Sequence, residues 1–456
     1  MRYLAPGLIS FGLISFGLIA AMTALAADTK SAVTFNKDIL PILQKNCQSC
    51  HRPGEIGPMP LLTYEGTRPW AKSIKTAVAT RKMPPWFADP KYGHFANDRR
   101  LSDADVAKIS EWVDAGAPEG NAKDKPAPLT WTEGWNIKPD VVIEMPKAYT
   151  VPKTGVIEYT YFVVPAPFKQ DTWVLDGEVR PGNRSVVHHA SVHVRPPGSQ
   201  WLKDAKPGEP YVPPKTAPGD VPKDAQGRPV DVSNEWLLGY VPGVHGEYFD
   251  VHHDPAHRAA KLIPAGSDLV FEMHYTPNGK AAAEDLTKVG FVLAKQPPEH
   301  RLLTVPVANP DFTIPPGNAN YPGHAEAVFD KPVELVYSQP HMHLRGKDMD
   351  IRLVYPTGES NTVVSVPHFD FGWQLVYYED KPIQVPKGTR IELSAHWDNS
   401  ANNRYNPDPT ATIHWGDQTF EEMIFAWVGV IADRNDTLDT VMAVRRGNSA
   451  NSSPKP

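Results

Sequence analysis

Forty-eight of the 456 residues are proline, about twice the ~5% share of an ordinary chain. Each one fixes φ and removes a backbone donor, so it breaks a helix interior and is confined within sheets to edges and bulges. A chain punctuated this densely is built from short strands joined by rigid turns. From Trp131 onward the runs have that form: "DVVIEM", "TWVLDGEV", "SVVHHASVHV", "SDLVFEMHYT", "KVGFVLA", "PVELVYSQPHMHL", "DMDIRLVY", "NTVVSV" and "TRIELSAHW". Each is short, β-branched and bounded by Gly, Pro, Asn or Asp, the pattern of antiparallel sandwiches. About 300 residues in this style imply two sandwiches, since one takes ~100–150. The expected halves are residues 137–304 and 305–445, with the break near Val305–Asn309.

The chain opens "MRYLAPGLISFGLISFGLIAAMTALAADTK". One arginine, an apolar run and the small residues Ala24-Leu25-Ala26 make a secretory signal over 1–26, cleaved after Ala26. No later segment is apolar enough to span a bilayer. The expectation is an exported, soluble protein, periplasmic or secreted. A net charge of −6 leaves no basic footprint for nucleic acid. An exported chain of this size has room for several disulfides, yet it holds two cysteines, Cys47 and Cys50, both inside "CQSCH".

C-x-x-C-H is the attachment signature of c-type haem: Cys47 and Cys50 form thioethers and His51 takes the proximal iron position. A redox dithiol would not need the histidine, and a zinc site would need further ligands that no other cysteine supplies. The motif follows a helical spacing of Ile39, Ile42 and Leu43. A second helix begins at a cap, Ser102 or Asp103, carries Val106, Ile109, Trp112 and Val113 on one face, and ends at Gly116. Met83, held beside two prolines in "RKMPPW", is the better candidate for the sixth ligand. Met59 lies only eight residues past His51 and is badly placed to wrap around the ring; an open position is the remaining alternative. Over roughly 33–120 this resembles a small class I cytochrome c, within a module of 27–122 followed by a linker at 123–136.

The second cluster of chemistry is "HMH". Alternation along a strand puts His341 and His343 on one face. Two such imidazoles repel when charged and, as neutral donors, converge on one metal; two unrelated surface histidines are the bland alternative. His188–His189 lies in another apolar strand, His274 ends a third, and Met423 enters a fourth. Neighbours in a strand point to opposite faces, so His188 and His189 share a metal only where the strand is bulged or ending. In order and spacing, His-His, His-Tyr, His-x-His and a His-x-Gly segment (His414–Gly416) leading to Glu-Met are similar to the ascorbate-dependent type II copper monooxygenases. That family includes peptidylglycine α-hydroxylating and dopamine β-monooxygenases, and the resemblance covers roughly 134–444.

The resemblance implies two jelly-roll-like copper domains after the all-α haem module. It implies an electron-storing copper held by His188, His189 and His274, and an oxygen-activating copper held by His341, His343 and Met423. Imidazoles hold both copper oxidation states, and thioether sulfur favours Cu(I). The implied activity is hydroxylation of an organic C–H bond with O2. The implied reductant is ascorbate-like, with the fused haem, reduced by a periplasmic donor, replacing or relaying from it. The peptide-hydroxylating members bind a substrate carboxylate through Arg, Asn and Tyr at positions that are here Gln339, Phe425 and Trp427. A small substrate less polar than a peptide carboxylate is therefore expected. Glu272 stands where those members carry Gln. Of the other histidines, His193 shares a face with His189; His396 and His414 read as structural; His245, His252, His253 and His257 lie in a Pro- and Asp-rich insertion near 196–264. The tail at 446–456 reads as disordered.

Overall fold

The computed structural model describes residues 33–443, save 56, 132–133, 215–234, 242–246 and 249–258. The signal segment, the tail and His245, His252, His253 and His257 lie outside the described residues. Among the described residues no helix is long and apolar enough to cross a membrane.

Strands dominate after residue 140, as the prolines require. One nine-stranded sheet runs through the whole β-rich region. Its path is Val141–Glu144, Lys288–Leu293, Thr172–Arg180, Ala259–Ile263, His300–Ala308, Phe425–Asp433, Val333–His341 and Tyr377–Val385, with Glu247–Tyr248 beside the third. Two five-stranded sheets cover it. The first is ordered Pro210–Tyr211, Thr160–Pro165, Asp268–Tyr275, Val187–Arg195 and Glu235–Tyr240. The second is ordered Ser360–Val366, Gly346–Val354, Arg390–Trp397, Tyr321–Phe329 and Met442–Ala443. Phe162, Val192 and Leu269 of the first cover pack on Val174, Ile263 and Phe291 of the long sheet. Ala327, Ile351 and Leu393 of the second pack on Leu303, Leu335 and Val430. Both halves are thus sandwiches.

They are not separated at Val305. The strand His300–Ala308 pairs along its whole length with Phe425–Asp433, so the expected boundary falls inside an unbroken strand. The halves join where Ala259–Ile263 pairs in parallel with His300 and Arg301. The buried ammonium of Lys261 sits at this seam and donates to Trp236 O (2.9 Å), Leu237 O (2.6 Å) and Thr304 Oγ1 (2.7 Å). An ammonium can be buried only where its donors are satisfied, and three acceptors meet that condition here.

The N-terminal segment is helical. Phe35–Ile39 and Leu40–Asn46 form one continuous run that buries Ile39, Ile42 and Leu43. The helix Asp103–Asp114 starts where Ser102 Oγ accepts the Asp105 N–H, and buries Ile109 and Trp112. The structure adds a helix at Ala71–Ala79. Trp112 and Tyr64 both pack against Phe35. Between the last two helices the chain leaves the module and docks on the second sandwich. Trp86 and Ala88 enter that core. Asp89 N bonds Ser365 O (2.8 Å), Ala96 N bonds Tyr378 O (2.9 Å) and Asp380 N bonds His94 O (2.8 Å). The module is therefore fastened, not merely tethered through 123–136.

Candidate metal centres

Val187–Arg195 and Asp268–Tyr275 pair with His189 opposite His274, and the next pair is Val187 with Tyr275. His188 is the extra residue of a β-bulge, and the bulge turns its side chain to the face used by its neighbours. The consequence is a three-histidine cluster. His189 Nδ1 lies 3.1 Å from His188 Nδ1 and 3.3 Å from His274 Nδ1, and the ligand atoms of all three fall within 4.8 Å of one another. Burial lowers all three basicities. His274 goes to about 3, with His188 adding repulsion; His189 falls well below its usual value, pressed further by His274 and His188; His188 is lowered too. The rings are therefore neutral, and a proton is a poor occupant of the point they share. Three neutral imidazoles with ligand atoms this close could hold a metal ion. The far side of His189 is held: its Nε2 meets Tyr159 Oη at 2.8 Å, an outer contact that orients the ring.

The second cluster forms where two strands of the long sheet end. Val333–His341 pairs with Phe425–Asp433 so that His341 faces Phe425 and Gln339 faces Trp427. Continuing that register sets His343 opposite Met423. The expectation that both histidines belong to one strand needs correcting: the strand stops at His341, and His343 lies in the extended segment beyond it. Their rings still meet, 5.2 Å apart and perpendicular. His341 Nδ1 lies 2.7 Å from Gln374 Oε1 and His343 Nδ1 lies 3.2 Å from Glu421 O. Both partners are oxygens that only accept, so each Nδ1 carries its proton and each Nε2 keeps its lone pair. Burial lowers His341 to about 4 and His343 well below its usual value.

Glu422 locks this arrangement. Its Oε2 accepts from His343 N–H (2.9 Å) and Trp397 Nε1–H (3.0 Å), and its Oε1 accepts from Arg345 N–H (2.6 Å). The residue beside Met423 thereby holds the backbone that carries His343. The two clusters adjoin. His189, His341, His343 and Met423 line one cavity of about 60 Å³, room for a few waters at most. Phe371 stacks on His188 (5.6 Å) and also packs against His343 (5.9 Å).

Gln339, Phe425 and Trp427 line the same cavity, and Trp427 lies 5.4 Å from the His341 ring. Glu272 bonds His193 Nε2 at 3.1 Å. His396 pairs with Asp348 at 2.7 Å, and His414 Nδ1 meets Thr313 Oγ1 at 3.3 Å. Neither joins a cluster. Tyr159, Phe371, Gln374 and Glu422 went unread in the sequence, because each acts on a residue far away in the chain.

In the helical module Cys47 and Cys50 form no disulfide, and each is half-buried. Burial pushes Cys47 up to about 12, helped by Cys50. His51 Nδ1 lies 3.1 Å from Met59 O, a carbonyl that only accepts, so Nε2 is the free nitrogen. A Cβ on Gly57 would stand 2.8 Å from both His51 Cα and Nδ1, so only glycine allows this loop to close over the ring. Met83 is half-buried, and its N–H bonds Ala77 O at 3.2 Å.

No family model matches the chain, and no curated protein does. Among solved structures, PNGF-II matches at 10% identity over 64% of this chain and 65% of that one, with a TM-score of 0.26. The chain thus spans less than two thirds of that protein. The infectious bursal disease virus Gx strain structure matches at 8% identity over 67% of this chain and 75% of that one, with a TM-score of 0.16. At these scores neither likeness bears on the site.

Proposed function

We propose that this chain is an exported copper-dependent monooxygenase that hydroxylates a C–H bond of an organic substrate with O2 and draws electrons through a c-type haem on its own helical module. The observation that carries the reading is the pair of adjoining buried clusters, three histidines in one and His341, His343 and Met423 in the other. Nδ1 of His188, His189 and His274 would hold one copper. Nε2 of His341 and His343, with the Met423 sulfur, would hold the other. Cys47, Cys50 and His51 Nε2 would hold the haem, with Met83 as the sixth ligand. When bound, these groups supply one-electron transfer and oxygen activation. The chain's own part is to orient. Tyr159 fixes His189, Gln374 fixes His341, and Glu421 O and Glu422 fix His343. Phe425 and Trp427 exclude water and favour an apolar substrate face, and Gln339 offers no charge to a carboxylate.

The size of the cavity favours a second reading, a haem–copper electron-transfer protein without hydroxylase activity. A partly open void of about 60 Å³ admits O2 or water and leaves little room for a bulky organic substrate beside the histidines. Metal analysis after copper loading, with anomalous scattering at the copper edge, tests the shared premise; two coppers and one iron per chain are expected. Iron without copper at these side chains overturns both readings. Oxygen uptake that rises with added organic substrate separates the first from the second.

A further inference from the structure

The loop that leads into the bulged His188–His189 strand also reaches the haem motif. Arg184, four residues before His188, pairs with Glu55, four residues after His51. Its Nη1 also donates to Gly54 O at 3.1 Å. Glu55 is held from its other side by Arg52 (3.1 Å). Both Arg184 and Glu55 are largely buried, so this is an ordered contact and not a surface ion pair of small worth. The Arg184 guanidinium lies 5.9 Å from the centre of the Tyr240 ring. Tyr240 is buried, faces Ala190 across paired strands, and lines the cavity together with His189 and His341. Ala190 is the residue after His189. Burial raises the Tyr240 phenol to about 12, and among its charged neighbours are Arg184, Glu55 and Cys50. One arginine and one tyrosine thus lie between the C-x-x-C-H segment and the strand that carries His189.

We propose that Arg184, through its contacts with Glu55 and Gly54, and the Tyr240 ring form the junction that couples the haem module electronically to the His188/His189/His274 site. The inference rests on the haem–copper reading above. The step is a single electron: ferrous haem becomes ferric, the cupric ion at the three-histidine site becomes cuprous, and no proton or bond changes place. Electron tunnelling weakens steeply across empty gaps and is carried better by covalent and hydrogen bonds. The route from His51 through Gly54 O to Arg184, and on to His188, consists of covalent bonds and one hydrogen bond. Arg184 is a positioning residue here; it touches neither metal.

The test uses the full chain with haem attached and copper removed. The haem is reduced with dithionite, excess reductant is removed, and reoxidation is followed anaerobically by haem absorbance on adding Cu(II). Arg184→Gln is expected to slow reoxidation at least tenfold, with the haem spectrum and copper content unchanged. Glu55→Gln is expected to do the same, and the double variant to be no slower than either single, the non-additive signature of one shared contact. In copper-free protein, hydrogen exchange over residues 50–57 is expected to rise in Arg184→Gln, a readout independent of the metal. Tyr240→Leu is the second variant should Arg184→Gln fold poorly, with slowed reoxidation again expected. Wild-type haem that is never reoxidised by copper overturns the underlying reading and this inference together. Wild-type transfer at a rate that Arg184→Gln and Tyr240→Leu both retain overturns the junction alone.

Discussion

Glu422→Gln is the sharpest probe of the second cluster, because it changes the charge and one acceptor with almost no change of volume. The carboxylate is fully buried and takes three N–H bonds on two oxygens, from His343 and Trp397 on Oε2 and Arg345 on Oε1. Glutamine has one accepting oxygen. If it occupies the Oε2 position, two bonds survive and the NH2 group confronts the Arg345 N–H. An unsatisfied buried donor costs about 1–3 kcal/mol, and the surviving bonds lose their charge assistance, about half their strength. Against this, burial already pushes the carboxyl up to about 7, despite the His343 and Arg345 N–H groups that pull it down. A neutral amide therefore recovers part of the desolvation cost. The net loss should be ~2 kcal/mol, from these unsatisfied-bond and desolvation terms. In a continuous β-rich unit of about 300 residues that lowers Tm by about 3 °C. Because the same bonds fix the backbone of His343, copper affinity at the second site should fall about 10–100-fold, the usual effect of losing an outer contact. The first site should keep its affinity. Calorimetry of metal-free protein and a copper titration followed by electron paramagnetic resonance give both numbers. A variant that melts and binds like the parent would refute the idea that this carboxylate, and not packing alone, sets His343 beside Met423.

Four further outcomes are expected. Met423→Ile and His343→Ala each remove one donor of the second cluster, so hydroxylation should be lost while the haem spectrum is kept; retained turnover in either rules that side chain out as a ligand. Cys50→Ala should prevent covalent haem attachment, seen as loss of haem stain from the protein band on denaturing gels. Glu379 is buried against the docked segment 86–98, and burial, with Asp380 beside it, raises its carboxyl to about 8. Its stability contribution is whole below about 4.5 and is lost as pH rises through about 8, so Glu379→Gln should raise Tm at pH 8.5 by more than at pH 5. At about 1.4 kcal/mol per pH unit the ceiling is roughly 5 kcal/mol, and an equal shift at both values contradicts it. The buried histidines have the opposite sign. Their lowered values in the folded chain, about 3 for His274 and about 4 for His341, mean that metal-free protein should lose stability as pH falls below about 6.5, and copper should delay that loss in acid melts.

Local signals in the sequence carried a large share of this structure. The capped helix at Asp103–Asp114 announces itself through Ser102, and the β-branched runs between prolines became strands. The adjacent pair His188–His189 implied a bulge or a strand end if both were to serve one site, and a bulge is what the register contains. The helix at Ala71–Ala79 was illegible for a local reason: no side chain caps its start, so its Ile74 and Val78 had no boundary to anchor the pattern. Other features were hidden because they are non-local. Lys261 reads as a surface charge until the carbonyls of Trp236 and Leu237 and the Thr304 hydroxyl are brought to it. The segment 86–98 has no periodicity of its own, since its order comes from edge strands of the second sandwich. The seam at Ala259 and His300 is a parallel pairing, which no hairpin signal marks. Gln374 and Glu422 acquire their roles only when the chain closes on itself.

The shared sheet has a mechanical consequence for chemistry that must pass charge between two sites. If each cluster sat in its own free-standing sandwich, thermal motion between the halves would vary the gap between them. Here the strands that end at His341 and begin at Phe425 belong to the same sheet as Ala259–Ile263 and Thr172–Arg180 of the first half. Lys261 pins the seam, and Phe371 touches both clusters at once. Stiffness of this kind lets two single-electron sites keep a fixed separation. It also explains why the cavity between them is small, because halves held by a continuous sheet cannot gape. Phe371 touches both clusters from outside that cavity, where it borders a separate surface pocket with Gly372, Asn403 and Arg404. Phe371→Ala should therefore open the flank shared by His188 and His343 and speed azide binding to copper-loaded protein, at a stability cost below the ~3 kcal/mol of a fully buried ring. Unchanged azide kinetics in a variant that still holds two coppers would place the entrance elsewhere.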